Sequence, residues 1–102
     1  MNPPSLINIL GHRYTVSEWP SDLWAGNGLG RSDIATAQLS LKSTIPADLK
    51  KSTLLHEIIH QLADLLDLPM KESELAISGL AVGLYNVLRA NPTLVVYLTK
   101  DE

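Results

Sequence analysis

The sequence predicts an α+β fold in a single domain over residues 1–102, and three observations support this. Residues 5–42 contain short β-prone segments in which apolar and polar side chains tend to alternate. The second half instead repeats apolar residues every three or four positions, which is the period of an α-helix. A chain of this length buries somewhat over ~60% of its unfolded surface, so it can fold around one core without disulfides.

Residues 5–19 form the first strand-like segment. The apolar run over 6–10 is β-prone, Gly11 interrupts it and Tyr14–Val16 resumes it, which predicts a hairpin or a bulged strand. Residues 20–33 follow as a stretch rich in glycine, serine and aspartate. Its glycine spacing does not fit the dinucleotide-binding fingerprint, so the stretch is predicted to be a mobile loop and not a phosphate site.

Residues 34–42 alternate imperfectly between apolar and polar side chains, which predicts another strand with one solvated face. Its buried face would consist of Ala35, Ala37, Leu39 and Leu41.

Two longer helices are predicted in the rest of the chain. The first runs over Ala47–Asp67, because leucines and isoleucines recur at helical spacing between positions 54 and 66. The second begins at residue 71 or 73, ends at Ala90 and is apolar on nearly all sides, which is typical of a buried helix. Gly79 and Gly83 would let a neighbouring helix approach it closely. A short last helix is predicted over residues 93–99.

The first helix carries the sequence His56-Glu57-Ile58-Ile59-His60, which reads H-E-x-x-H. Histidines four residues apart lie one helical turn apart on the same face, so their ring nitrogens can converge on one metal ion. Glu57 would lie beside that ion, where its carboxylate can act as general base toward water. The motif therefore predicts a Zn²⁺-dependent metallopeptidase with His56 and His60 as metal ligands and Glu57 as catalytic residue.

A third protein ligand is expected, since catalytic zinc sites have three and leave one position open. No histidine follows His60 and the chain has no cysteine. Glu72 and Glu74 begin the second helix after a short connection, and we favour Glu74; alternatively, both acids simply favour the helix N-terminus. Tyr14, Tyr85 and His12 are possible further donors to an oxyanion, without any supporting spacing.

The motif region resembles a known family. The segment from Ser52 to Leu62 is similar to the T-L-L-H-E-hydrophobic-x-H signature of small phage zincins, which are related to the ImmA/IrrE-type metallopeptidases. Residues 80–92, after Glu74, resemble the L-A-x-G-L-Y-x-L-L-R-x-N-P helix of those proteins. The resemblance implies a small mixed or antiparallel sheet packed on the H-E-x-x-H helix and a second buried helix. It also implies zinc held by His56, His60 and Glu74, with Glu57 as acid and base.

Composition limits the partners. The net charge of −3 argues against a nucleic-acid surface, and no apolar stretch is long enough for a membrane span. A cytoplasmic location, in the host if the protein is phage-encoded, and a peptide or protein substrate are expected. Two alternatives to a peptidase remain. The first is a weak or inactive zincin-fold phage protein that acts as a metal-stabilised binding or structural module. The second is a helical domain that forms a homodimer through Gly79 and Gly83. A phage or host protein is a further possible partner.

Overall fold

The computed structural model describes residues 1–24 and 26–101, which form a mixed four-stranded sheet and three α-helices. The elements are β1 (Leu6–Ile9), β2 (His12–Trp19), a 3-10 turn (Ser21–Leu23), β3 (Gly30–Asp33), β4 (Gln38–Lys42), α1 (Ala47–Leu65), α2 (Glu74–Ala90) and α3 (Pro92–Thr99). The predicted α+β fold is confirmed.

The sheet has the strand order β1-β2-β4-β3. Strands β1 and β2 form the predicted hairpin, and both residues of its tight turn, Leu10 and Gly11, have positive φ. The Asn8 side chain accepts a hydrogen bond from the Gly11 N–H at 2.8 Å, which fixes the turn. Strand β4 pairs parallel to β2 and antiparallel to β3, so β3 is an edge strand.

Two predictions about residues 20–42 are wrong. Gly30–Asp33 was expected in a loop, and it is instead strand β3; residue 25 of that expected loop lies outside the described residues. The strand expected to start at residue 34 starts at Gln38, because Asp33 accepts a hydrogen bond from the Ala35 N–H at 2.9 Å and turns the chain. Consequently Ala35 is exposed and Ala37 only half-buried, and of the expected buried face Leu39 and Leu41 alone are buried.

Helix α1 lies between the sheet and α2. On the sheet side, Ile9, Tyr14 and Leu39 form a cluster against the aliphatic stripe of α1. On the other side, Ile59 and Ala63 of α1 pack against Ile77 and Ala81 of α2, together with side chains of the connection between the helices. Both faces of α1 therefore stabilise the fold, which holds the H-E-x-x-H motif on a well-supported element.

The prediction that α2 is buried is wrong. Ile77 and Ala81 are buried, whereas Leu75, Leu80 and Val82 are 86%, 48% and 58% exposed. The sheet covers the opposite side of α1, so α2 packs on α1 with one face and turns the others outward. A methyl group placed on Gly79 or Gly83 would meet no atom within 4 Å outside the helix backbone, so the close helix neighbour expected there is absent from the described chain.

No helix in the described part of the chain is both long and apolar enough to cross a membrane.

Candidate metal centre

Helix α1 places His56 and His60 one turn apart with their rings converging. The two Nε2 atoms are 3.0 Å apart, and the ring centroids are 4.8 Å apart. Both side chains are about one-fifth exposed, at 21% and 23%, so they are held by the surrounding protein while their nitrogens remain accessible.

The first residue of α2 completes the cluster. Ser73 is the N-cap of α2, and its hydroxyl accepts a hydrogen bond from the Ala76 N–H at 3.1 Å, which fixes where the helix begins. Glu74 follows immediately, and its Oε1 lies 2.6 Å from Nε2 of His56 while its Oε2 lies 2.9 Å from Nε2 of His60. The structure thus brings together the two histidines and the acid favoured from the sequence, and it does not place Glu72 in this cluster.

These three side chains could hold a metal ion, since one ligand atom from each lies within 4.8 Å of the others. Two imidazoles and one carboxylate form the donor set of many catalytic zinc sites. Donors at about 2.0–2.1 Å from a tetrahedral ion are roughly 3.3 Å apart. The contacts of 2.6, 2.9 and 3.0 Å are roughly 0.3–0.7 Å shorter, so the three side chains would have to separate slightly to hold an ion.

Glu57 lies beside the cluster and is buried, with 7% of its surface exposed. Burial raises the pKa of its carboxyl above the ordinary value, while a hydrogen bond from the Ser32 side chain and the neighbouring His60 and His56 partly oppose the shift. A carboxylate with a raised pKa binds a proton more readily, which suits a group that must accept one near neutral pH.

Burial of Glu57 depends on the close approach of β3 to α1. A methyl group at Gly30 would lie 2.6 Å from Cγ2 of Thr53 and 3.1 and 3.2 Å from Cγ and Oε2 of Glu57. Any other residue at position 30 would therefore have to displace the Thr53 side chain or the strand, which favours glycine where the edge strand lies directly over the helix. The sequence offered glycines at 26, 28 and 30 but no signal that distinguished Gly30, because the contact depends on where the edge strand lies.

The cluster opens into a cleft of about 530 Å³ between β3 and α2. Gly28–Gly30 form one wall and Ser78, Ala81 and Val82 of α2 form the other, with α1 as the floor. His56, Glu57, His60 and Glu74 all line it. A cleft of this size with apolar walls and a few convergent polar groups is typical of a small-ligand or peptide site.

The further donors considered from the sequence do not line this cleft. The Tyr14 hydroxyl is buried under α1 and donates a hydrogen bond to Oε1 of Gln61 at 2.6 Å. Tyr14 and its partner Gln61, which is 2% exposed, therefore stabilise the core. His12 is exposed on β2 and Tyr85 is half-buried on α2.

No protein-family model, curated protein sequence or solved structure matches this chain.

Proposed function

We propose that this protein is a zinc-dependent metallopeptidase of the minimal zincin kind. His56, His60 and Glu74 would hold the ion, and Glu57 would act as general base. The observation that carries the proposal is the approach of both Glu74 oxygens, at 2.6 and 2.9 Å, to two histidine nitrogens that already face each other. Imidazole ligands favour zinc among the common divalent ions of the cell.

When bound in such a site, zinc supplies Lewis acidity, which lowers the pKa of water and polarises a carbonyl oxygen. The protein supplies the proton transfers. The Glu57 carboxylate accepts a proton from the attacking water, and the protonated carboxyl then donates it to the nitrogen of the leaving amine. Burial of Glu57 under β3 supports both steps, because burial raises the pKa of the carboxyl and so makes the group bind a proton more readily.

The cleft supports a peptide substrate. Strand β3 is an edge strand that borders the cleft at Gly30, and its backbone could hydrogen-bond an extended chain by strand addition. The apolar wall at Leu29 and Val82 could contact one side chain of that peptide. The bound segment would thereby lie along β3 with its scissile bond near Glu57.

Zinc content of purified variants tests the ligand assignment. Glu74→Ala should lose most of the zinc that the parent binds at one ion per chain, because a site with two protein ligands remains. Glu72→Ala is the matched control, since this acid lies two residues earlier and outside the cluster. Full zinc retention in Glu74→Ala would reject Glu74 as a ligand.

Turnover of a pool of quenched fluorescent peptides tests the catalytic assignment. Glu57→Gln should retain zinc and lower the rate by about 10²–10⁴-fold, the usual contribution of a general base. Zinc-loaded parent protein that cleaves no peptide in the pool, or a Glu57→Gln variant that cleaves as fast as the parent, would contradict the proposed chemistry.

The alternative, a metal-stabilised binding module, has one observation in its favour. Helices α2 and α3 expose many large apolar side chains next to the cleft, as a protein-binding surface would. Such a module would lose melting temperature on chelation and would show no difference between the parent and Glu57→Gln in any cleavage assay.

A further inference from the structure

Helices α2 and α3 carry half of the exposed large hydrophobic side chains of the described residues. The nine on these helices are Leu75, Leu80, Val82, Leu84, Val87, Leu94, Val96, Tyr97 and Leu98, and they are between 36% and 86% exposed. Monomeric proteins rarely expose so much apolar surface in one region.

Helix α3 has little support from the other described residues. It is eight residues long, mostly apolar, and none of its described residues is buried, although it packs against α2. Isolated helices shorter than about 12–15 residues are marginal in water. An apolar helix of this length at the surface is therefore expected to pack against a surface beyond the described residues.

Helix α2 presents a defined surface on the side away from its buried residues, which we name the α2 outer face. It consists of Ala76, Gly79, Leu80, Gly83 and Val87, which recur at three- and four-residue spacing. All five are exposed, and no charged residue occurs between Leu75 and Leu88. Leu80 and Val87 form a ridge, and the two glycines form a groove next to it.

We propose that the α2 outer face and α3 form the interface of a homodimer. A two-fold interface uses the same surface on both subunits, so that surface must contain both the ridge and the groove that receives it. The α2 outer face meets this requirement, since Leu80 and Val87 of one copy can pack over Gly79 and Gly83 of the other. A surface without charges also offers no feature that would select a charged partner.

The available area is sufficient for a stable dimer. Scaled by their exposed fractions, Leu80 and Val87 of the α2 outer face and the four exposed apolar side chains of α3 together present roughly several hundred Å², on the order of the ~800 Å² per partner that a standard specific interface buries. Homodimer interfaces are also more apolar than other interfaces, as this surface is. The cleft-lining residues Glu74 and Ser78 lie on another side of α2.

Sedimentation equilibrium of the zinc-loaded chain tests the dimer. The parent should show a concentration-dependent mass that approaches twice the 11.1 kDa of one chain. Gly79→Leu should weaken dimerisation at least tenfold, because the new side chain fills the groove. The same change should leave the monomer folded, since the position faces open space and leucine favours the helix over glycine.

Val87→Glu is a second variant that places a charge on the ridge at a position already 47% exposed, and it should also weaken the dimer. Leu23→Glu is the control, since Leu23 is 63% exposed on the 3-10 turn and away from α2, and it should dimerise like the parent. A parent that stays monomeric at millimolar concentration would overturn the proposal. A dimer that is unaffected by both α2 variants, or a monomer that binds lipid vesicles instead, would also overturn it.

Discussion

The sharpest prediction concerns Gly30, where strand β3 lies over α1. Replacement by alanine introduces a methyl group 2.6 Å from Cγ2 of Thr53, a separation that carbon atoms do not tolerate, so either the Thr53 side chain must leave its rotamer or β3 must move away from the helix. Overpacking of this kind costs about 1–3 kcal/mol. The backbone at Gly30 does not adopt positive φ, so alanine would otherwise stabilise the protein by ~0.4–1 kcal/mol through the unfolded state.

The steric term is the larger one, so Gly30→Ala should lower the free energy of unfolding by roughly 0.5–2 kcal/mol. The melting temperature should fall by about 4–8 °C for each kcal/mol in a domain of this size. Thermal and urea unfolding of the zinc-free protein measure this change. Turnover should fall by a larger factor than zinc affinity, because the methyl group also lies 3.2 Å from Oε2 of Glu57, which is not a proposed ligand.

Two further variants isolate the cause. Gly28→Ala is the matched control, because a methyl group there would meet its nearest atom, the Gly30 carbonyl oxygen, at an ordinary 3.4 Å. Its stability should equal or slightly exceed that of the parent. Thr53→Ser removes the clashing Cγ2 and should restore part of the stability of Gly30→Ala. If Gly30→Ala melts at or above the parent temperature, the reasoning from close approach is refuted.

Three other measurements test the core, the helix cap and the metal. Tyr14→Phe should cost about 1–3 kcal/mol by leaving Oε1 of Gln61 buried without a donor. Burial, and secondarily the charge of Asp64, raise the Tyr14 pKa above 10.0, so the fold favours the neutral phenol. Stability of the parent should therefore fall as pH rises above 10.0, and the deficit of Tyr14→Phe in urea titrations should shrink there, whereas a constant deficit would contradict this. Ser73→Ala should cost ~1 kcal/mol by calorimetry and weaken zinc binding through Glu74, while Ser73→Asp should retain both properties. Chelation should lower stability by about 2.7 kcal/mol relative to free zinc at ~100 times the dissociation constant, and an unchanged melting temperature would argue against a site at His56 and His60.

The sequence predicts α1 and its histidines well because both depend on local periodicity. The four-residue spacing of His56 and His60 determines that they share a face, whatever packs around the helix. The connection between the helices is short, so Glu74 had few places to lie, and the structure brings it to both rings. The strand hairpin at Leu10 and Gly11 is similarly local.

Features that depend on the tertiary arrangement were not predictable in the same way. Glu57 lies outside the aliphatic stripe of α1, yet it is buried beside Thr53, where Gly30 of the edge strand β3 approaches both side chains. Strand β3 itself has few apolar residues, and its pairing with β4 defines it. The composition of α2 predicts a buried helix. Apolar residues on every side do not determine, however, whether the surface that covers them belongs to the same chain.

The position of Glu74 has a consequence for motion. The two histidines belong to α1 and the acid to α2, so a bound cation would add a polar link between two helices that otherwise pack through the cluster around Ile77 and Ala81. Ion occupancy would then restrain α2 and also α3, which packs against it. Amide hydrogen exchange over residues 74–99 should slow when zinc binds. The ion would then order a surface much larger than the site that holds it.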